Sequence, residues 1–160
     1  VPPTLIAWTL GALWQISVIC AKQGNYGLQR VGNGITADSD VTSTVSIDVS
    51  PGDVLYTAFW ARASLAANGT ISLGFAFYDS VGTLLSSSFI NSTGVPVNWT
   101  QFVGNITAPP FAATAIPIVR ATNHTTGLWC VDVVYSVIAG GNWKLSMLRH
   151  YHSNYVGYRG

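Results

Sequence analysis

Trp60, Tyr56, Arg62 and Tyr78 are the side chains of this sequence best suited to hold a flat ligand rich in hydroxyl groups. Indole and phenol rings offer apolar faces on which a ring can lie, while the guanidinium and the phenolic hydroxyls hydrogen-bond to its substituents. All four share the even parity of two alternating runs, 54–63 and 70–79. In the first, Leu55, Thr57, Phe59 and Ala61 occupy the other parity; in the second, Ile71, Leu73, Phe75 and Phe77 do. A β-strand turns successive side chains to opposite faces, so alternation of this kind predicts a sheet with one face in a core and the other open. The even face is small and aromatic instead of charged, which suits a ligand platform better than an ordinary solvated surface. The alternative is that Trp60 packs under a loop or against another subunit, because aromatic residues also collect at protein interfaces.

Catalysis finds little to work with. The acidic residues number 6, all aspartates: Asp38, Asp40, Asp48, Asp53, Asp79 and Asp132. Glycoside hydrolysis needs two carboxyls flanking the scissile bond, one with a raised pKa. Asp38 and Asp40 lie in a polar stretch, Asp48 and Asp53 flank a turn, and Asp79 ends a strand, so no pair is marked out. No serine or cysteine has the context of a nucleophile elbow. His150 and His152 supply at most part of a metal site, and His124 lies in a loop. The expectation is a protein that is not an enzyme.

Composition narrows the class further. A chain of 160 residues fits one domain large enough to bury a core. Hydrophobic residues make up 49% and charged residues 8%, against about 25% charged in ordinary soluble proteins. Surface polarity therefore has to come from Ser, Thr, Asn and Gly, a surface with little repulsion between copies. The net charge of +1, with the basic residues scattered, excludes a nucleic-acid footprint. The apolar stretch Leu5 to Cys20 is interrupted by Thr9, Gly11, Gln15 and Ser17 and lacks a basic start, so neither a membrane span nor a signal peptide is expected. The chain opens on Val1, which reads as a processed product or a piece of a longer protein.

Turn signals divide the chain at the short intervals of an all-β domain. Strands are expected at 15–21, 25–31, 43–49, 54–63, 70–79, 83–90, 99–106, 114–121 and 128–137. Pro51-Gly52, Asn68-Gly69, Ser80-Val81-Gly82 and Thr93-Gly94 separate several of them. The fold class is thus an antiparallel two-sheet β-sandwich or jelly roll spanning 1–140, followed after Gly140-Gly141 by an appended tail, 141–160. Trp143, Tyr151, Tyr155 and Tyr158 in that tail, together with its basic residues, are of the types that dominate interfaces. Docking onto another subunit is the expectation.

The order of several short motifs is distinctive: Gly24-Asn25-Tyr26-Gly27-Leu28, Ser50-Pro51-Gly52-Asp53-Val54, Phe59-Trp60-Ala61-Arg62, Trp99-Thr100-Gln101-Phe102 and Gly127-Leu128-Trp129-Cys130-Val131-Asp132. In this order they resemble the jelly-roll carbohydrate-binding modules of families four and nine, over about residues 8–138. Similar modules occur in glycoside hydrolases and in bacteriophage virion proteins. The resemblance implies that glycan lies across a concave sheet, stacked on Trp60 with Tyr56, Arg62 and Tyr78 beside it. It implies that Trp99 and Trp129 are structural core aromatics. It also suggests a structural calcium on Asp132, although the second acidic ligand usual near the first strand is missing here, and the competing role for Asp132 is to hydrogen-bond a loop. Cys20 and Cys130 fall on strands that neighbour each other in such a jelly roll, so a disulfide and a pair of buried thiols both remain open.

The low charge and the abundance of Ser, Thr, Gly and Ala look more like a virion protein than a secreted cellulase module. The leading expectation is a non-enzymatic module of a phage tail, fibre or capsid decoration that binds host-surface polysaccharide in a homo-oligomeric particle. The first alternative is a purely structural virion protein that contacts neighbouring subunits; the second is a binding module cut from a glycoside hydrolase.

Overall fold

A computed structural model of the protein describes residues 8–138. The tail residues Trp143, His150, Tyr151, His152, Tyr155 and Tyr158, with the docking role expected of them, lie outside the described residues. Among the described residues, eleven strands run in the order β1 Trp8–Leu10, β2 Trp14–Ser17, β3 Gly27–Val31, β4 Ser39–Ser43, β5 Ile47–Asp48, β6 Val54–Ala63, β7 Thr70–Tyr78, β8 Leu84–Asn91, β9 Thr100–Thr107, β10 Thr114–Thr122 and β11 Leu128–Ile138. One sheet has the order β1-β4-β10-β7-β8, with β5 also paired to β10; the other has the order β2-β3-β11-β6-β9. Every pairing is antiparallel. The protein is an all-β sandwich of jelly-roll type. No helix among the described residues is long and apolar enough to cross a membrane.

The core lies between the sheets, where odd-numbered side chains of β6 and β7 meet. Leu55, Phe59, Ile71, Leu73, Phe75 and Phe77 are fully buried there, with Trp129 and Val131 from β11 beside them. Burial of each large apolar side chain contributes roughly 1.5–3 kcal/mol, so these strands anchor both sheets. Thr57 is the polar intruder in the inward parity of β6; its hydroxyl lies 3.1 Å from that of Ser136 on β11, which satisfies both.

Three strand expectations need correction. The strand expected at 15–21 stops at Ser17, whose hydroxyl accepts from the Ile19 amide and starts a single 3-10 turn, Val18–Cys20. The strand expected at 43–49 is instead β4, ending at Ser43, and the two-residue β5. Ser43 forms reciprocal bonds with the Val45 backbone that break the chain there. Trp8–Leu10, expected to be a mere lead-in, is a strand on the edge of the first sheet.

The even parity of β7 is also not an open face. Ser72 and Ala76 are each 5% exposed, and Phe89 of β8 lies over Gly74, where any side chain would collide with the Ser88 and Phe89 backbone. The Arg120 guanidinium stacks 4.7 Å from the Phe89 ring centroid and pairs with Asp40 at 2.8 Å.

Candidate ligand-binding face

The outer face of the second sheet carries the candidate site. On β6 the residues of outward parity are Tyr56, Ala58, Trp60 and Arg62, of which Ala58 is buried between its larger neighbours, and the register sets Asn105, Val103 and Gln101 of β9 beside the first three. Gln101, Val103 and Asn105 are exposed, as is Tyr56, while Trp60 and Arg62 are half-buried. From Tyr56 to Arg62 the strip runs roughly 20 Å, at about 3.3 Å per residue.

Trp99 belongs to this face and not to the core. It directly precedes β9 and shares the parity of Gln101, which brings it beside Arg62, with the guanidinium carbon 5.5 Å from its ring centroid. It is half-buried like Trp60, whereas Trp129 is fully buried and donates its indole N–H to the Asn68 carbonyl at 2.9 Å. The expectation of a core role thus holds for Trp129 and fails for Trp99. Its parity with Gln101, had the pairing of that strand to β6 been known, was the signal that could have found it.

Tyr78 has to be removed from the group. It ends β7 in the first sheet, opposite Thr114 and Leu84, and its outer face is on the other side of the sandwich from Trp60. Equal parity on two strands means a common face only when both strands lie in one sheet.

A pinned loop frames the strip on the β11 side. Cys20 and Cys130 form a disulfide, with α-carbons 4.9 Å apart, that ties the 3-10 turn to the outer face of β11. Gly27 permits this close approach, since a side chain there would overlap the Cys20 backbone. Beyond Cys20, the amides of Lys22 and Gln23 donate to one oxygen of Asp132 at 2.6 and 2.9 Å, and the Val133 amide donates to the other at 2.7 Å. Arg62 adds a bond to the Ile19 carbonyl at 2.8 Å. The loop so held carries Lys22, whose ammonium sits 3.9 Å from the Trp60 ring centroid. One face of the indole is thus covered by an exposed cation.

The surroundings of Asp132 do not fit the calcium expected there. The carboxylate is fully buried and both its oxygens accept backbone N–H groups, whereas calcium requires six to eight oxygens and is repelled by N–H dipoles. No group of three or more His, Cys, Asp or Glu able to hold a metal ion occurs among the described residues. The loop-bonding role weighed against calcium is the one the geometry displays.

A second cluster, Arg30 with His124, lies buried at one end of the sandwich. Arg30 is 2% and His124 1% exposed, and the guanidinium donates to imidazole Nδ1 at 2.7 Å and to the His124 carbonyl at 3.0 Å. Arginine has no acceptor atom, so Nδ1 is unprotonated and Nε2–H donates to the Gly127 carbonyl at 3.0 Å. Burial holds the imidazole below its ordinary 6.5, and the facing Arg30 charge adds to this, against the opposing pull of the Gly127 carbonyl. The unfolded chain then takes up a proton near its ordinary pKa that the folded chain refuses. Stability is therefore full above about pH 6.5 and declines as the pH falls below it. Melting temperatures measured from pH 8 to pH 5 should fall more steeply for the native protein than for His124→Gln. Parallel curves would remove His124 as the source.

No protein-family model matches the chain, and no curated protein matches it significantly. Solved structures do resemble it. The C-terminal family 22 carbohydrate-binding module of Clostridium thermocellum Xyn10B superposes with a TM-score of 0.64 at 18% identity, over 88% of this chain and 91% of that one. The CBM22-1 xylan-binding domain of Paenibacillus barcinonensis Xyn10C gives 0.59 at 13% identity, over 85% and 88%. The enzymatically active domain of tailspike protein 4 from bacteriophage CBA120 gives 0.64 at 18% identity, over 84% of this chain and only 20% of the tailspike chain. The chain therefore has the jelly-roll fold of carbohydrate-binding modules.

Proposed function

We propose that this chain is a non-catalytic module that binds polysaccharide along the outer strip of β6 and β9. The observation that carries the reading is the alignment of Trp99, Trp60 and Tyr56 along one outer strip, Tyr56 exposed and both tryptophans half-buried, interleaved with Arg62, Gln101 and Asn105. Stacking surfaces at intervals, with amide and guanidinium donors between them, match the alternation of apolar ring faces and hydroxyl edges in a glycan chain. Xylan-binding domains and a module crystallised with β-1,4-galactotriose share the fold, which favours the same ligand class here. The non-catalytic part rests on the carboxylates. Four of the six carboxylates are engaged, Asp40 with Arg120, Asp53 with the Ser50 amide, Asp79 with the amides of Val81 and Thr83 and Asp132 with loop amides, and Asp38 and Asp48 lie away from the strip, before β4 and on β5.

Replacement of Trp60 or Trp99 by alanine is expected to weaken glycan binding by roughly 1–3 kcal/mol each, with little change in melting temperature because both rings are partly exposed. Affinity electrophoresis or calorimetry against a polysaccharide panel reads this directly. Unaltered binding in both variants would remove the strip as the site.

For the setting of the module, a phage virion, in which homo-oligomeric subunits present the strip to host-surface polysaccharide, is the preferred reading. It is favoured by the low charge and by the likeness to part of a tailspike. The motif order that resembles families four and nine, and the similar folds of modules from families 22, 16 and 61, favour glycan binding in either setting. A module from a glycoside hydrolase is the second reading, favoured by the similar fold within a xylanase and an arabinofuranosidase. The reading frames flanking the gene separate the two.

A further inference from the structure

We infer that the polysaccharide taken by this strip is acidic, with its carboxylates held by Lys22 and Arg62. The inference rests on the glycan-binding reading above and adds the ligand's charge.

Its basis is the pairing of cations with the stacking rings. Lys22 lies over Trp60 and Arg62 lies over Trp99, two cation–aromatic units side by side on one face. Among the described residues, no surface acid on that face neutralises them. Among the described residues, Asp132 is the acid beneath it, and it is fully buried with both oxygens on backbone amides. The other acids lie elsewhere: Asp40 and Asp48 on strands of the first sheet, Asp38 in the loop before β4, Asp53 in the turn before β6 and Asp79 in the turn after β7. The ligand strip is thus locally cationic in a chain whose net charge is only +1.

The position of Lys22 makes this a selective device. A sugar that stacks on the covered face of Trp60 must push the ammonium aside. A neutral sugar ends the cation–π contact and returns nothing for it. A uronic acid draws the displaced ammonium onto its own carboxylate, so the ring gains the indole and the cation gains a partner. Arg62 uses one N–H on the Ile19 carbonyl, and the rest of its five donors include geometry suited to a carboxylate on a neighbouring sugar. Lys22 stays poised because the disulfide and the Asp132 bonds fix the backbone that bears it.

The test uses the full chain with polygalacturonate, alginate and hyaluronan, each compared with its carboxyl-reduced neutral form by calorimetry, beside a panel of neutral xylans, glucans and galactans. At least one acidic polymer should bind about tenfold or more tightly than its reduced form in low salt. That gap should shrink in high salt, as screening shortens the reach of the charges. Lys22→Gln and Arg62→Gln should each lower the acid-to-neutral affinity ratio about threefold or more, and Lys22→Arg should restore most of it. Equal binding of acidic and reduced forms, or a ratio unmoved by both glutamine variants, overturns the acidic preference and leaves the glycan reading intact. Binding confined to the neutral panel and lost in Trp60→Ala does the same. Binding to neither class overturns both.

Discussion

Loss of the Cys20–Cys130 disulfide is expected to lower the stability of this protein by roughly 3–5 kcal/mol, because the bridge closes a loop across 110 residues. Constraint of the unfolded chain grows with loop length, and this bridge spans most of the domain. Urea unfolding of the oxidised protein, compared with the reduced protein and with a Cys20→Ala/Cys130→Ala variant, reads the difference. Coincident midpoints would show that the bridge contributes nothing. A second effect is expected at the ligand strip. The bridge holds the Val18–Cys20 turn, and with it Lys22 and the Ile19 carbonyl that receives Arg62, against the outer face of the sheet. In native conditions the bridgeless variant should keep its core, which is built from residues independent of the loop, yet bind glycan more weakly than the native protein.

Asp132→Ala is expected to cost roughly 2–4 kcal/mol, the second large effect. The substitution removes the acceptor of the Lys22, Gln23 and Val133 amides, and a buried donor left without a partner costs about 1–3 kcal/mol. Part of that cost is local to β11. The strand is bulged between Asp132 and Tyr135, and Val133 sits in the left-handed region at φ 50°, which a β-branched residue adopts only when its surroundings hold it there. The bond from the Val133 amide to the Asp132 side chain is one of those restraints. Asp132→Asn should fall between native and alanine, since its amide retains one oxygen but turns an NH₂ toward N–H donors. Thermal melts in chelator and in millimolar calcium should coincide for the native protein. A rise in melting temperature with calcium, absent in Asp132→Asn, would show that the carboxylate serves a metal after all.

The alternation of 54–63 and 70–79 was enough to place two long strands, with Leu55, Phe59, Ile71, Leu73, Phe75 and Phe77 turned inward, because period two is a local property of extended backbone. Trp60 as an outward ring was legible for the same reason, the all-β class from the close spacing of turn signals, and Trp129 as a core ring from the resemblance of the motif order to carbohydrate-binding modules. Alternation is silent about which sheet a strand joins. Inward parity looks alike in both layers of a sandwich, so Tyr78 was grouped with Trp60 although the two face opposite sides of the molecule. The core role that the resemblance implies for Trp99 fails because its place beside Arg62 depends on the register of β9 with β6, a contact distant in sequence. In β4 the inward positions Ser39 and Ser43 are polar, so no apolar period marked the strand; a tertiary bond from Ser39 to the Ala12 carbonyl and a local one from Ser43 to the Val45 carbonyl make their burial possible. Asp132 was recognised as a residue with work to do, but its partners Lys22 and Gln23 lie 110 and 109 residues away. Local chemistry determined which side chains face out and what they could hold. Only the folded sandwich decided which of them share a face, because that depends on strand order and register, which are set by long-range packing.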